Sequence, residues 1–193
     1  MATAKGEQRR ADLVRAATEI LLAHGLEAVS HRAVATRAGV ALGSTTYYFA
    51  DLTDLRRAAV DTLADTDAER MQSAVDALPA RRRSGPAVAR IVATLLTPDD
   101  YDALVAWYER YVHAAREPLL ADAARRTNAA ARQHVETVLD RSGLHTEVPP
   151  QVVLAVVDGA VIAALVDGAD LTGVRRAAAE ALTALLTATT PAA

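Results

Sequence analysis

Ser30-His31-Arg32-Ala33-Val34-Ala35-Thr36-Arg37-Ala38-Gly39-Val40-Ala41-Leu42-Gly43-Ser44-Thr45-Thr46-Tyr47-Tyr48-Phe49 holds two short helical patterns hinged at a glycine. Ser30 is a good N-cap, because its hydroxyl accepts from the unpaired N–H groups of a first helical turn. Ala33, Val34 and Ala38 then form a small apolar face at helical spacing. Gly39 takes φ > 0 at no steric cost, so it ends one helix and turns the chain sharply. Val40 anchors that turn in a core. A second short helix runs over 43–49. Two helices joined by a short glycine turn form the unit that lays its second helix in the major groove of DNA.

Outward from this stretch, residues 8–24 read as a helix with Leu13, Ala17, Ile20, Leu21 and His24 on one stripe, stopped by Gly25. With helices at 31–38 and 43–49 it makes a trihelical head. Residues 51–78 read as one long helix with Leu55, Ala59, Leu63, Met71, Val75 and Leu78 inward, about 40 Å at 1.5 Å per residue. Pro79 and the run Arg81-Arg82-Arg83-Ser84-Gly85-Pro86 break the pattern. That run reads as a solvated loop sooner than as a nucleic-acid patch, given its distance from the head. Residues 87–97 form a short helix. Thr97-Pro98-Asp99-Asp100 then reads as a start signal, with Thr97 capping and Pro98 at the first helical position of a helix over 98–116. A further helix covers 118–142. Residues 150–168 are apolar nearly all round, which predicts burial on most sides, and a partner subunit is the simplest cover. A last helix spans 172–188. No strand pattern and no repeat emerges. The fold class is all-α: an N-terminal trihelical helix-turn-helix head over 1–55, then a helical-bundle body over 56–193.

Composition narrows the chemistry. The 193 residues include no cysteine, which excludes disulfides, thiolate metal sites and cysteine nucleophiles. Val152–Val166 comes nearest to a membrane span, and Asp158 interrupts it. Lys5, Arg9 and Arg10 have no apolar stretch of a signal peptide behind them. The expectation is a cytoplasmic protein that does not enter a membrane. The net charge of −3 is uneven: residues 1–57 carry eight basic and six acidic residues, so a mildly basic head meets an acidic body. No Gly-x-Ser-x-Gly elbow, phosphate-cradling glycine loop or His-Glu-x-x-His pair occurs, and the five histidines lack metal-ligand spacing. Neither an enzyme, nor a cofactor, nor a metal is expected.

Over residues 8–60 the chain resembles the TetR family of bacterial transcriptional regulators. The family's first helix and glycine resemble Ala11–Gly25. Its second helix, of the type Ser/Thr-x-Arg-x-Ile/Val-Ala-x-x-Ala-Gly-Val, resembles Ser30–Val40. Its recognition helix resembles Gly43-Ser44-Thr45-Thr46-Tyr47-Tyr48-Phe49. The chain departs from the pattern at three places. Ala41 stands where a capping serine is frequent, Thr45-Thr46 where Leu-Tyr is frequent, and Leu52 where a phosphate-holding lysine is frequent.

The resemblance implies a ligand-responsive repressor that is released from a palindromic double-stranded operator by a small hydrophobic or aromatic effector. The alternative is a helical ligand-binding or scaffold protein that has lost DNA binding. The DNA-binding residues implied are Ser30, Arg32, Leu42, Gly43, Ser44, Thr45, Thr46, Tyr47 and Tyr48. Hydroxyls and Arg32 reach phosphate or a base edge, and small residues let the helix lie deep in the groove. The backbone amides that open the fourth helix stand in for the missing lysine. An effector pocket among the long helices is implied, and Met71, Tyr101, Leu104, Trp107, Tyr108 and Tyr111 are the residues offered for it. Homodimerisation is implied through the late apolar helix with its Asp158-Gly159 pair. Val135, Leu139, Val152, Val156, Gly159, Ile162 and Val166 are the expected interface.

Overall fold

A computed structural model describes residues 4–189. Among the described residues the chain forms nine α-helices, one 3-10 turn and no strand. The helices are α1 (Ala4–His24), α2 (His31–Ala38), α3 (Leu42–Tyr48), α4 (Leu52–Asp76), α5 (Gly85–Leu96), α6 (Tyr101–His113), α7 (Pro118–Arg141), α8 (Pro150–Val166) and α9 (Leu171–Thr189). Two compact units result. One holds the chain up to Thr66 together with Glu109–Arg125; the other holds Asp67–Tyr108 and the chain from Arg126 onward. No helix among the described residues is long and apolar enough to cross a membrane.

The first unit is organised by the stripe of α1. Leu13, Ala17, Ile20 and Leu21 are buried with Leu26, Val29, Val34, Phe49 and Leu55, and Leu120 and Ala123 complete the cluster. Each large side chain so buried contributes about 1.5–3 kcal/mol. His24, expected on the same stripe, is exposed at the last turn of α1. An imidazole there keeps its solvation and faces the negative end of the helix dipole. Arg56 secures the loop before α2: its Nε donates to the Val29 carbonyl at 3.1 Å and its guanidinium to the Glu27 carbonyl at 3.2 Å.

The second unit buries Val88, Val92 and Leu95 of α5 against Val174, Ala178, Leu182 and Leu186 of α9, with Val153, Val157 and Val161 of α8 in the same cluster. Twenty of the 21 basic residues are arginine, and several close helix ends. A helix leaves its last carbonyls unpaired, and a guanidinium offers several donors in a planar fork. Arg141 donates to the carbonyls of Val75, Asp76 and Leu78 at the end of α4. Arg83 donates to the carbonyls of Pro79 (2.8 Å) and Arg141 (3.4 Å). Two backbone bonds complete that seam, Arg81 N–H to Arg141 at 2.8 Å and Arg83 N–H to Ser142 at 3.0 Å. Arg175 donates to Thr97 Oγ1 at 2.9 Å, the Pro98 carbonyl at 2.8 Å and Asp99 at 2.7 Å.

This last contact corrects an expectation. Thr97 does not open α6; it ends α5, fully buried, with its hydroxyl donating back to the Ala93 carbonyl at 2.8 Å. A threonine hydroxyl serves either helix end, and here the i−4 carbonyl and Arg175 claim it. Asp100 then accepts from the Asp102 N–H, and α6 starts at Tyr101.

Candidate nucleic-acid interface

The turn between α2 and α3 is built as its sequence dictates. Ser30 Oγ accepts from the Ala33 N–H at 3.2 Å, and its own hydroxyl proton is left to donate. Loss of such a cap costs about 1 kcal/mol. Gly39 sits in the left-handed region at φ 64° and ψ 38°, its N–H shared between Ala35 and Thr36 carbonyls. Val40 N–H bonds to the Ala35 carbonyl at 3.0 Å, and its side chain packs on the head's core. Two short helices are thereby fixed at one corner, both packed on the head's core through Val34, Ala38 and Tyr48.

α3 then shows which residues look outward. Leu42, Gly43, Thr46 and Tyr47 are exposed, Tyr47 at 81%. Ser44 and Tyr48 are half-buried, and the two tyrosine rings meet edge to face at 4.9 Å. Arg32 is exposed on α2, while Ser30 is half-buried. A Cβ built on Gly43 would touch nothing in the chain, so the chain's own packing does not ask for glycine there. Ala41 supplies no side-chain cap to α3.

Two features differ from expectation. Thr45 is 0% exposed and its hydroxyl donates to the Leu42 carbonyl at 2.8 Å. The bond satisfies the hydroxyl inside the helix, so Thr45 packs beneath α3 and presents nothing to a groove. The start of α4 is also less open to phosphate than its bare amides suggest. Asp51 accepts the Asp54 N–H at 2.8 Å, which puts a carboxylate where a phosphate would sit. The spacing Asp51-Leu52-Thr53-Asp54 is the signal that predicts this cap. The Arg10 guanidinium lies 5.1 Å from the Phe49 ring centroid. Elsewhere on the head, Arg37 is engaged with Glu19 at 2.7 Å.

In the second unit the six residues offered as an effector pocket part company. Met71, Leu104 and Tyr108 are buried in the core cluster, Trp107 packs against it, and Tyr101 is on the surface. Tyr111 is also exposed, in the stretch that belongs to the first unit. None of the six lines any of the three cavities described for the unit. Tyr108 does have a polar role: its hydroxyl donates to Asp158 Oδ1 at 2.8 Å. Burial pushes the Asp158 carboxyl above its ordinary value, and the Tyr108 hydrogen bond only partly opposes it.

The folded state therefore holds that proton more tightly than the unfolded chain. The stability this carboxyl contributes is complete below the unfolded carboxyl value and is lost as pH rises through the folded one. Asp158→Asn keeps an acceptor for Tyr108 without the buried charge. It should raise the thermal midpoint at pH 7, and the gain should shrink as pH falls through the folded value and vanish below the unfolded one. Melting curves from pH 4 to pH 8 measure this.

The expected dimer residues divide too. Val135 and Leu139 are buried in the unit's own core and have no surface to give a partner. They lie on the inner face of α7, where an apolar heptad-like spacing marks burial but not the neighbour. Val152, Gly159, Ile162 and Val166 are exposed, Ile162 at 44% and Val166 at 82%, and Val156 is half-buried. With Ala155 and Ala163 they make one apolar stripe along the side of α8 opposite Val153, Val157, Val161 and Ala164.

Comparisons with known proteins agree with this fold. Residues 13–59 match the model of "Bacterial regulatory proteins, tetR family", and residues 81–188 match "Tetracyclin repressor-like, C-terminal domain". Among solved structures, the multidrug binding protein EbrR complexed with imidazole is 31% identical, with 96% of this chain and 97% of that chain covered and a TM-score of 0.66. A TetR-family member (SCO1917) from Streptomyces coelicolor A3 is 30% identical over 92% of this chain and 98% of its own, with a TM-score of 0.62. A transcriptional regulator from Rhodococcus sp. Rha1 shares the fold, with a TM-score of 0.72 at 23% identity over 95% of this chain and 99% of its own. EbrR has also been solved with proflavin, ethidium and malachite green. The search of curated proteins returns no match.

Proposed function

The chain belongs to the TetR family of bacterial regulatory proteins, and from that premise we propose that it is a homodimeric repressor released from a palindromic operator by a small hydrophobic or aromatic effector. The functional division falls near residue 55, with the DNA-binding head before it and the ligand-binding and dimerising body after it. The observation that carries the proposal is the face of α2 and α3. Arg32, Gly43, Thr46 and Tyr47 stand exposed around a turn fixed by Gly39. Hydroxyls and a guanidinium there meet phosphate oxygens, while the small residues of α3 let it enter a major groove. The dyes bound by EbrR are aromatic, which supports an effector of that class. Asp158, the sole acidic residue of α8, supplies a counter-charge if the effector is cationic. Effector binding must favour the conformation that does not fit DNA, or nothing shifts. The continuous α4 is the natural lever for that change.

A footprint on the DNA upstream of the chain's own gene tests this. A protected inverted repeat is expected, and its occupancy should fall steeply with added salt, as phosphate contacts require. One observation favours a second reading, a helical ligand-binding protein without DNA affinity: Asp51 sets a negative charge at the start of α4. Protection of no site at low salt would select it.

A further inference from the structure

The run Arg81-Arg82-Arg83 is the sequence feature that DNA binding leaves unused. It borders an open-mouthed cavity of about 830 Å³ together with the last turns of α4 and the side of α5. That volume is in the range of small-ligand sites. The charged residues of its wall are Arg70, Arg81, Arg82, Arg83 and Arg90, against Asp99 alone. Asp99 is already paired with Arg175 at 2.7 Å. Arg83 is occupied by the Pro79, Arg81 and Arg141 carbonyls. Arg81, Arg82 and Arg90 are exposed and form no ion pair among the described residues.

Arg70 is the most telling of the set. Its Nη1 donates to the Leu95 carbonyl at 3.1 Å, yet its Nε is buried and has no hydrogen-bond partner. A buried donor left unpaired has lost its hydration with nothing in return. Burial also lowers the pKa of this guanidinium, against the pull of Asp67 and Asp99. Apart from the hydroxyls of Ser73 and Thr94, the rest of the wall is apolar, with Val75, Leu78, Ile91, Leu95 and Val138.

Guanidinium forks match carboxylate and phosphate oxygens in pairs. The apolar wall has nothing to offer a nucleic-acid backbone but suits a short hydrocarbon tail. We infer that this cavity binds a small amphipathic organic anion, a carboxylate or phosphate head on an apolar tail. The site goes beyond the repressor reading and does not depend on it.

Calorimetry on the full chain tests the inference with octanoate, octyl phosphate, octyltrimethylammonium and inorganic phosphate. At least one of the two octyl anions should bind at least tenfold more tightly than the octyl cation, and the tighter one identifies the head group. Arg82→Gln with Arg90→Gln removes two exposed charges, and circular dichroism checks that the fold is kept. The double variant should lose at least tenfold in affinity for that anion. Arg176→Gln should bind as the parent does, since Arg176 lines a neighbouring cavity and not this one. Equal binding of cation and anion, no heat with either anion, or an unaffected double variant would each overturn the site. So would an equal loss in Arg176→Gln, which would move the ligand next door. Inorganic phosphate binding as tightly as octyl phosphate would remove the apolar wall from recognition and overturn the amphipathic class.

Discussion

Replacing Tyr47 and Tyr48 together with alanine should weaken operator binding at least about a hundredfold while the oligomeric state stays unchanged. Hydrogen bonds to a charged phosphate are worth about 1.5–3 kcal/mol each, so two lost hydroxyls reach that factor. The two residues are not equivalent. Tyr47 is almost wholly in solvent, so its removal costs the fold next to nothing. Tyr48 packs in part on the head's core, and its loss brings some destabilisation. Tyr47→Phe separates the effects, because it deletes one oxygen and keeps the ring: about tenfold weaker binding is expected with an unchanged melting curve. A gel shift at fixed salt reads both. Retardation equal to that of the parent in the double variant would remove α3 from the DNA interface.

The second large effect is expected on α8. Ile162→Glu with Val166→Glu should convert the proposed dimer to monomers at micromolar concentration in sedimentation equilibrium. A two-fold interface places every substitution twice, so four carboxylates would be buried unpaired at the seam. Both side chains are exposed in the single chain, so the protomer has no reason to unfold, and circular dichroism should be unchanged. Gly159 on the same stripe meets no atom of its own chain where a Cβ would stand, which allows a second helix to approach closely. Operator affinity should fall along with dimerisation, since each monomer holds one half-site. A dimer that survives both glutamates would place the interface elsewhere.

Local signals carried most of the head. Ser30 can cap and Gly39 can take φ > 0 without steric cost, and the structure uses both. What failed to show in the sequence was the choice between partners. Thr45 was expected to meet DNA, but its hydroxyl is satisfied by the carbonyl three residues back. Thr97 has the residue type and neighbours of a helix start but ends α5 for the same reason. An apolar pattern states that a face is covered and leaves open by what. Val135 and Leu139 are covered by their own chain. Ile162 and Val166 are not. α8 conceals this because it is apolar nearly all round, so no polar stripe marks its phase. The aromatic residues of α6 misled in another way: Tyr108 is core and Tyr101 surface, since a stretch rich in rings says little about where they point.

The seam between residues 81–83 and the end of α7 has a consequence for proteolysis. Three consecutive arginines are three cleavage points for trypsin, and all lie at the surface or close to it. A protease must draw several residues into an extended strand of its own, which requires the substrate's backbone groups to be unpaired. Here Arg81 and Arg83 have committed their N–H groups to Arg141 and Ser142, and the Arg83 side chain clasps the carbonyl of Pro79. Native trypsin digestion should therefore cut this triplet slowly, at a rate that follows transient opening of the unit and not the accessibility of the arginines. The triplet thus doubles as a built-in reporter, and any ligand that closes the cavity beside it should lengthen the half-life of the intact chain.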